Sequence, residues 1–394
     1  MRYDILGSII RYSIIVLILL TPIINLSEIQ KNTNLTLPNI NIRQIKEFGM
    51  IIIMFLSFIR TIVITHTLNK TYKYFIYLLG LLSIVLLCNI NSNNLILLCG
   101  LRWFLPFMMF VFVYDIVDIS LMTKIYKTMS LIFVIHILLQ IYELFYMTPY
   151  LGTTIGGLAA RVPGVMPLSH ASALFICIFY LLLSKFETNN RIKIYFTILV
   201  LFSLLILMSS TGLIVFCVIF FLRLFNQYLN NNKTLYVILP FLLVILYVYA
   251  DTILGRTEGS SEASIGTRIV LFFNSLQYGG LFPCYFGYFT NAAIMMVQQG
   301  ILSQHDIFYA DSMYVSIIGN LGILAFLIAL CLIIRICYYA IKYNYNYLLC
   351  WTVLFSLCSI SSVITEIFPA NIVFVVVFAY SLKSLDMRMY HCLS

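Results

Sequence analysis

The chain has 394 residues, 62% of them hydrophobic and 9% charged, with a net charge of +9 and a mean hydropathy of +1.02. A soluble globular chain runs about 45–50% apolar and about 25% charged, so this composition excludes an ordinary soluble enzyme, a disordered protein and a nucleic-acid binder. Roughly 244 apolar side chains at about 20 per crossing make about twelve spans, and the remaining 150 or so residues leave no room for a large soluble domain.

In chain order, apolar runs predict spans near 6–26, 48–65, 74–90, 95–114, 128–147, 169–184, 192–208, 211–225, 235–250, 312–334, 347–365 and 368–382. The first is long enough to cross and lacks a small-residue cleavage site, so the chain is expected to keep it. The runs on either side of Ser209-Ser210-Thr211-Gly212 are short, and length alone allows one long helix. Basic residues decide the matter. Lys185, Arg191 and Lys193 precede the pair and Arg223 and Lys233 follow it, so the chain is expected to go out and come back. With both termini cytoplasmic, fifteen Lys and Arg lie inside and six outside: Lys31, Arg43, Lys46, Arg161, Arg256 and Arg268. Arg60 and Arg102 lie within spans. The expectation is a single all-α polytopic membrane domain over 1–394, with about twelve spans and a long outer loop between the ninth and tenth.

Eight of the ten cysteines sit inside apolar runs, and neither a CxxC pair nor a Cys/His cluster occurs. They read as small buried hydrophobes, with no disulfide framework, metal or cofactor implied. The long outer segments are 27–47, 148–168 and 251–311. In the last, Ser264 is expected to cap a helix with Ile265, Ile269, Phe272 and Leu276 on one face. That helix suits the membrane interface, or equally a seat on the span tops.

Arg161 stands in Gly156-Gly157-Leu158-Ala159-Ala160-Arg161-Val162-Pro163-Gly164, a shaped outer turn. Arg161, Arg256 and Arg268 all run against the positive-inside trend. Guanidinium forks bind phosphate oxygens bidentately, and fixed cations help a departing diphosphate as its charge grows. Contact with ordinary lipid phosphates, or balance of Asp251, Glu258 and Glu262, is the plainer alternative. His305, Asp306 and Asp311 close the longest loop and are the general-base candidates. Asp311-Ser312 also reads as a helix cap. His136, Gln140 and Glu143 share one helix face, expected to line a chamber. Arg102, about 10 Å below the outer boundary, either snorkels or points into it. Asp115 and Asp118 flank a span. P-loop, HExxH and DxD motifs are all absent from the sequence.

Taken in order, these residues resemble a bacterial O-antigen polymerase of the Wzy type, whose architecture overlaps that of the O-antigen ligases. Arg161-Val162-Pro163-Gly164 is similar to the family's arginine-bearing loop and Ser210-Thr211-Gly212 to its short turn. Ten residues separate Arg268 from Gly279, as in its Arg-x10-Gly pattern. Arg161 departs from that spacing, since Ser172 stands where glycine would be. Asp311 through Gly319 and Gly322 resembles the start of the helix after the large periplasmic loop. The resemblance implies a multi-pass protein of the bacterial inner membrane. It would join undecaprenyl-diphosphate-linked oligosaccharide units into long polysaccharide at the periplasmic face, with inversion and without a metal. Arg161, Arg268 and Arg256 would hold the diphosphate, and His305 or Asp311 would serve the acceptor hydroxyl. His136, Gln140, Glu143 and Arg102 would line the cavity. Partners would be the lipid-linked substrate, membrane lipid, and the pathway's chain-length regulator and flippase, with no nucleic acid. Two rivals are a ligase moving glycan to lipid A–core and a flippase for the lipid-linked unit. The ligase is disfavoured because no His-Asn pair precedes the post-loop helix. The flippase is disfavoured by the few cations within the spans.

Overall fold

The computed structural model describes residues 4–30, 44–61, 70–146, 162, 164–207, 209–228, 260–303 and 308–393. Among them the chain is all helical, with no strand. The helices are α1 (Ile5–Leu19), α2 (Thr21–Gln30), α3 (Gln44–Arg60), α4 (Lys70–Cys88), α5 (Asn94–Val113), α6 (Ile119–Tyr146), α7 (Ser169–Phe186), α8 (Asn190–Leu207) and α9 (Ser210–Tyr228). They continue with α10 (Ser260–Gly279), α11 (Asn291–Gln298), α12 (Met313–Lys342), α13 (Asn346–Cys358) and α14 (Ala370–Leu393), with a 3-10 turn at Ile364–Glu366 before the last. Among the described residues, α5, α6, α7, α8, α12 and α14 are long and apolar enough to cross a membrane. Eleven of the twelve expected segments coincide with helices; the segment 235–250 lies outside the described residues.

Helix ends follow local chemistry. The Asp4 carboxylate accepts the Gly7 N–H at 2.7 Å, Asp118 accepts that of Leu121 at 2.8 Å, and Ser312 that of Val315 at 3.1 Å. Each satisfies a donor that the helix leaves free. The expected span 6–26 is two helices, parted at Leu20 just before Pro22. α7 is the axis of the bundle: every residue from Ala171 to Ser184 is buried. A helix that is apolar all round belongs in the interior, and α6, α8, α9, α13 and α14 surround it. α8 and α9 are separate helices, as the basic flanks predict. A Cβ at Gly212 would approach the Ala173 Cβ within 2.7 Å, so this glycine lets α9 cross closely over α7.

Ion pairs and polar ties gather the basic residues at one end. Arg60 pairs with Asp4 at 2.5 Å and Arg11 with Asp118 at 2.8 Å. Lys383 donates to the carbonyls of Asp115 and Val117, and Tyr114 donates to Asp386. The Arg60 guanidinium holds the Asp4 carboxyl below its usual range. The opposite end carries the irregular segments.

There α12 breaks. Gly322 has φ +86° and ψ 167°, outside helical space. The Ile323 N–H, cut off from its helical acceptor, bonds instead to the Gly280 carbonyl at 3.1 Å. The rings of Tyr314 and Phe326, one on each side of the break, lie 5.9 Å apart, so the two parts fold toward each other. α10 then runs alongside α12 across the break, with Gly279 against Ile318 before it and the Phe272 ring 6.3 Å from that of Phe326 after it. Its packing face is Leu271, Phe272, Ser275 and Gly279, whereas Ile269 is 51% exposed. Of the expected face, Phe272 packs against α12 while Ile269 stays exposed. Small residues at 275 and 279 let the helices approach, and that outweighs the apolar stripe.

A Cβ at Gly322 would lie 2.6 Å from the Leu281 carbonyl oxygen. Gly322→Ala is expected to destabilise the protein by about 2–3 kcal/mol through the positive φ and this clash. A lowered thermal transition of the purified protein in detergent is the readout; an unchanged one contradicts the assignment of this break.

Candidate functional site

At the end opposite the ionic ties, the face of α6 predicted to line a chamber grips a peptide segment instead. Gln140 donates to the Val162 carbonyl at 2.9 Å and accepts from the Ser203 hydroxyl at 2.5 Å. Glu143 accepts the Gly164 N–H at 3.2 Å, and His136 Nδ1 accepts that of Val165 at 3.2 Å. All three side chains are buried. Gly164 has φ +62°, and a Cβ there would lie 2.7 Å from His136 Nδ1, so only glycine fits. Among the described residues, His136 Nε2 and Glu143 Oε1 have no hydrogen-bond partner. The polar face thus holds the segment that follows Arg161; Arg161 and Pro163 themselves lie outside the described residues.

A second cluster joins α3, α5 and the turn before α14. Arg102 pairs with Glu47 at 2.7 Å, neither snorkelling nor free. Glu366 accepts the N–H groups of Asn291 and Ala292 at 2.8 and 3.1 Å, a carboxylate at the start of α11, where the helix dipole favours negative charge. Loss of water around this carboxyl raises its pKa, opposed by the two backbone bonds and by Arg102 and Lys46 nearby.

Between α10 and α11, residues 280–290 form a compact turn system held by two buried amides. Asn320 accepts the Gly287 N–H at 2.8 Å and donates to the Phe289 carbonyl at 3.0 Å. Asn89 accepts the Phe286 N–H at 3.1 Å and donates to the Pro283 carbonyl. Below this layer, an apolar groove of 720 Å³ lies between α4, α5, α12, α13 and α14. It runs from Tyr314, Ile364 and Thr365 near the irregular end to Ile336 and Phe378 deeper in the bundle. Apart from Thr352, Thr365, Asn371 and two tyrosines, its lining is aliphatic or phenyl. The break at Gly322 sets the wall of the groove, because the lining takes Tyr314 and Ile317 before it and residues 326–336 after it.

Of the expected phosphate ligands, Arg161 and Arg256 lie outside the described residues. Arg268 is half-buried on α10, the helix expected within the long outer loop, one turn beyond the Phe272–Phe326 contact, and among the described residues its buried Nε has no hydrogen-bond partner. His305 and Asp306 are outside the described residues. Asp311 is half-buried, and Ser312 caps α12 in its place. No hydrogen bond or ion pair among the described residues connects Arg268 to the segment held by α6. Sequence reasoning assigned no role to Glu366, Asn89 and Asn320. The last two are single polar residues in apolar runs, and that is the signal that marks them.

The fold and this site define a helical membrane protein with an apolar groove between its helices. No protein-family model matches the chain, and no curated protein is significantly similar to it.

Two variants test the architecture of the site. Gln140→Leu removes two buried bonds and leaves Val162 and Ser203 unpaired, an expected cost of about 1–3 kcal/mol. Glu366→Ala frees the start of α11. Limited proteolysis in detergent is expected to cut faster near residues 162–168 in the first variant and near 291–303 in the second. Wild-type cleavage patterns in both would reject these ties.

Proposed function

We propose that the protein is a polysaccharide polymerase of the O-antigen type, with about twelve spans in a bacterial inner membrane and both termini cytoplasmic. The observation that carries this reading is the apolar groove, whose near end opens beside the helix that follows Asp311. A prenyl or acyl chain gains about 0.8 kcal/mol per CH₂ removed from water, but little on moving from lipid into an apolar groove. Such a groove therefore serves to orient a lipid carrier, and its polar head then lies at the irregular end.

In this reading the acceptor sugar hydroxyl attacks the anomeric carbon of the donor. The bond from that carbon to the diphosphate oxygen breaks, and the lipid diphosphate leaves. Asp311 or His305 takes the hydroxyl proton, and the configuration inverts. Arg161, Arg268 and Arg256 are proposed to bear on the diphosphate. Asp311 is supported by its half-buried carboxylate, which forms no hydrogen bond among the described residues while Ser312 caps the helix. The grip of α6 on Val162, Gly164 and Val165 supports a built outer segment directly after Arg161 in the sequence.

The test is polymerisation of purified undecaprenyl-diphosphate-linked repeat units by the full chain in lipid nanodiscs. Wild type is expected to make a ladder of chain lengths. Ala329→Trp, which fills the groove, is expected to lower product by about tenfold or more, equivalent to about 1.4 kcal/mol in the barrier. Arg268→Ala is expected to leave single units unjoined. Translocation of the units without elongation would overturn the reading in favour of a flippase, and normal ladders from Ala329→Trp would remove the groove from the mechanism.

A further inference from the structure

The cap above the groove carries a compact set of aromatic side chains drawn from one stretch of chain, residues 278–309. Phe308 lies between Tyr278 and Phe289, each stacked on it with ring centroids 4.7 Å apart. Tyr285 meets the same ring edge-on at 5.9 Å, and Tyr288 packs edge-on against Tyr285 at 5.6 Å. Tyr309 follows directly. Tyr278 is 41% and Tyr309 59% exposed, and Tyr285 and Tyr288 are half-buried.

Their hydroxyls distinguish these tyrosines from others in the molecule. Tyr114 donates to Asp386, Tyr126 to Glu187 and Tyr314 to the Ser356 carbonyl. Among the described residues, none of the hydroxyls of Tyr278, Tyr285, Tyr288 and Tyr309 forms a hydrogen bond. Tyrosine combines a large apolar face with a polar handle, and partly exposed phenols keep both available to a ligand. The backbone beneath is fixed by Asn320 and Asn89, so the rings are presented on a rigid support. Asp311 follows Tyr309 by two residues.

We propose that Tyr278, Tyr285 and Tyr288, clustered with Phe308, and the exposed Tyr309 next to it in sequence, form a platform that binds the sugar rings of an oligosaccharide. A pyranose offers one face of C–H groups and a rim of hydroxyls. The C–H face stacks on the exposed rings, while the free phenols and the Asp311 carboxylate take the hydroxyls. A tyrosine belt at the membrane interface would be spread over many helix ends. Here the rings come from one segment, stack on one another and are followed in sequence by the carboxylate of Asp311, which favours a sugar ligand over lipid headgroups. The assignment rests on the glycan reading for the identity of the oligosaccharide, and is separable from it by experiment.

Full-length protein in nanodiscs is to be mixed with chitotetraose, maltotetraose and tetragalacturonate, and saturation transferred from protein aromatic protons to the sugars by NMR. At least one sugar is expected to show transfer. Tyr285→Ala and Tyr288→Ala are expected to weaken it by about fivefold or more, in line with loss of an aromatic contact. Tyr309→Ala, at an exposed ring outside the stack, is expected to weaken it without disturbing folding. Absence of transfer from wild type to all three sugars overturns the platform, as does full transfer in both Tyr285→Ala and Tyr309→Ala. Transfer confined to nanodisc headgroups would assign the rings to the lipid surface and also overturns it. Sugar binding without polymer formation leaves the platform standing and removes the polymerase reading. Polymer formation with an unchanged KM in Tyr285→Ala and Tyr309→Ala does the reverse.

Discussion

Inside a bilayer no water is at hand for a peptide group that leaves the helical ladder, so the protein must supply its partner. This constraint organises the irregular end of the molecule. Gln140, Glu143 and His136 bond the backbone at 162–165. Asn89 and Asn320 do the same for 283–289. The first N–H of α12 is shared between the carbonyls of Ser359 and Ser362, and Asn371 donates to the Thr365 carbonyl at 3.0 Å. Nearly every buried amide or carboxylate at this end serves a stretch of non-helical chain.

The two ends of the bundle are therefore built on different chemistry. One end ties helices together by ion pairs and lysine-to-carbonyl bonds, with ordinary turns between them. The other spends its polar groups on shaping backbone, and so carries turns, a short helix and the broken start of α12. That division matches the demands of a site. Ligand-binding residues are best held by rigid surroundings, and an irregular backbone within a membrane persists only when buried in protein or lining a cavity. The groove follows from the same break, since a straight α12 would not set its two parts at an angle around a shared space. A lipid chain held below the cap and a sugar chain held on it would meet at Asp311, and this single position links the groove, the cap and the proposed chemistry.

Much of the fold was legible beforehand. Apolar runs marked helices, because burial from water dominates every other term in such a chain. The pair α8 and α9 was separable from charge alone, and Gly212 within Ser210-Thr211-Gly212 proves to be where α9 crosses α7. The candidate site was less legible. The shared face of His136, Gln140 and Glu143 was visible as helical spacing, but spacing does not say whether a polar face meets a cavity or a peptide. Arg102 likewise gave no hint of its partner, which lies 55 positions earlier at Glu47. Arg268 was legible as part of a helix in the long outer loop, but the packing of that helix along α12 through Ser275 and Gly279 was not.

The amino-acid order by itself determined a helical membrane protein, its succession of apolar segments and the clustering of basic residues that lies at one end. Those properties depend on local composition and on short-range periodicity. Only the tertiary structure decided what the buried polar residues hold, where α12 breaks, and which distant helices wall the groove and which rings stack in the cap. Such features are pairings between residues far apart in the chain, and no local pattern encodes which distant backbone group a buried side chain will meet.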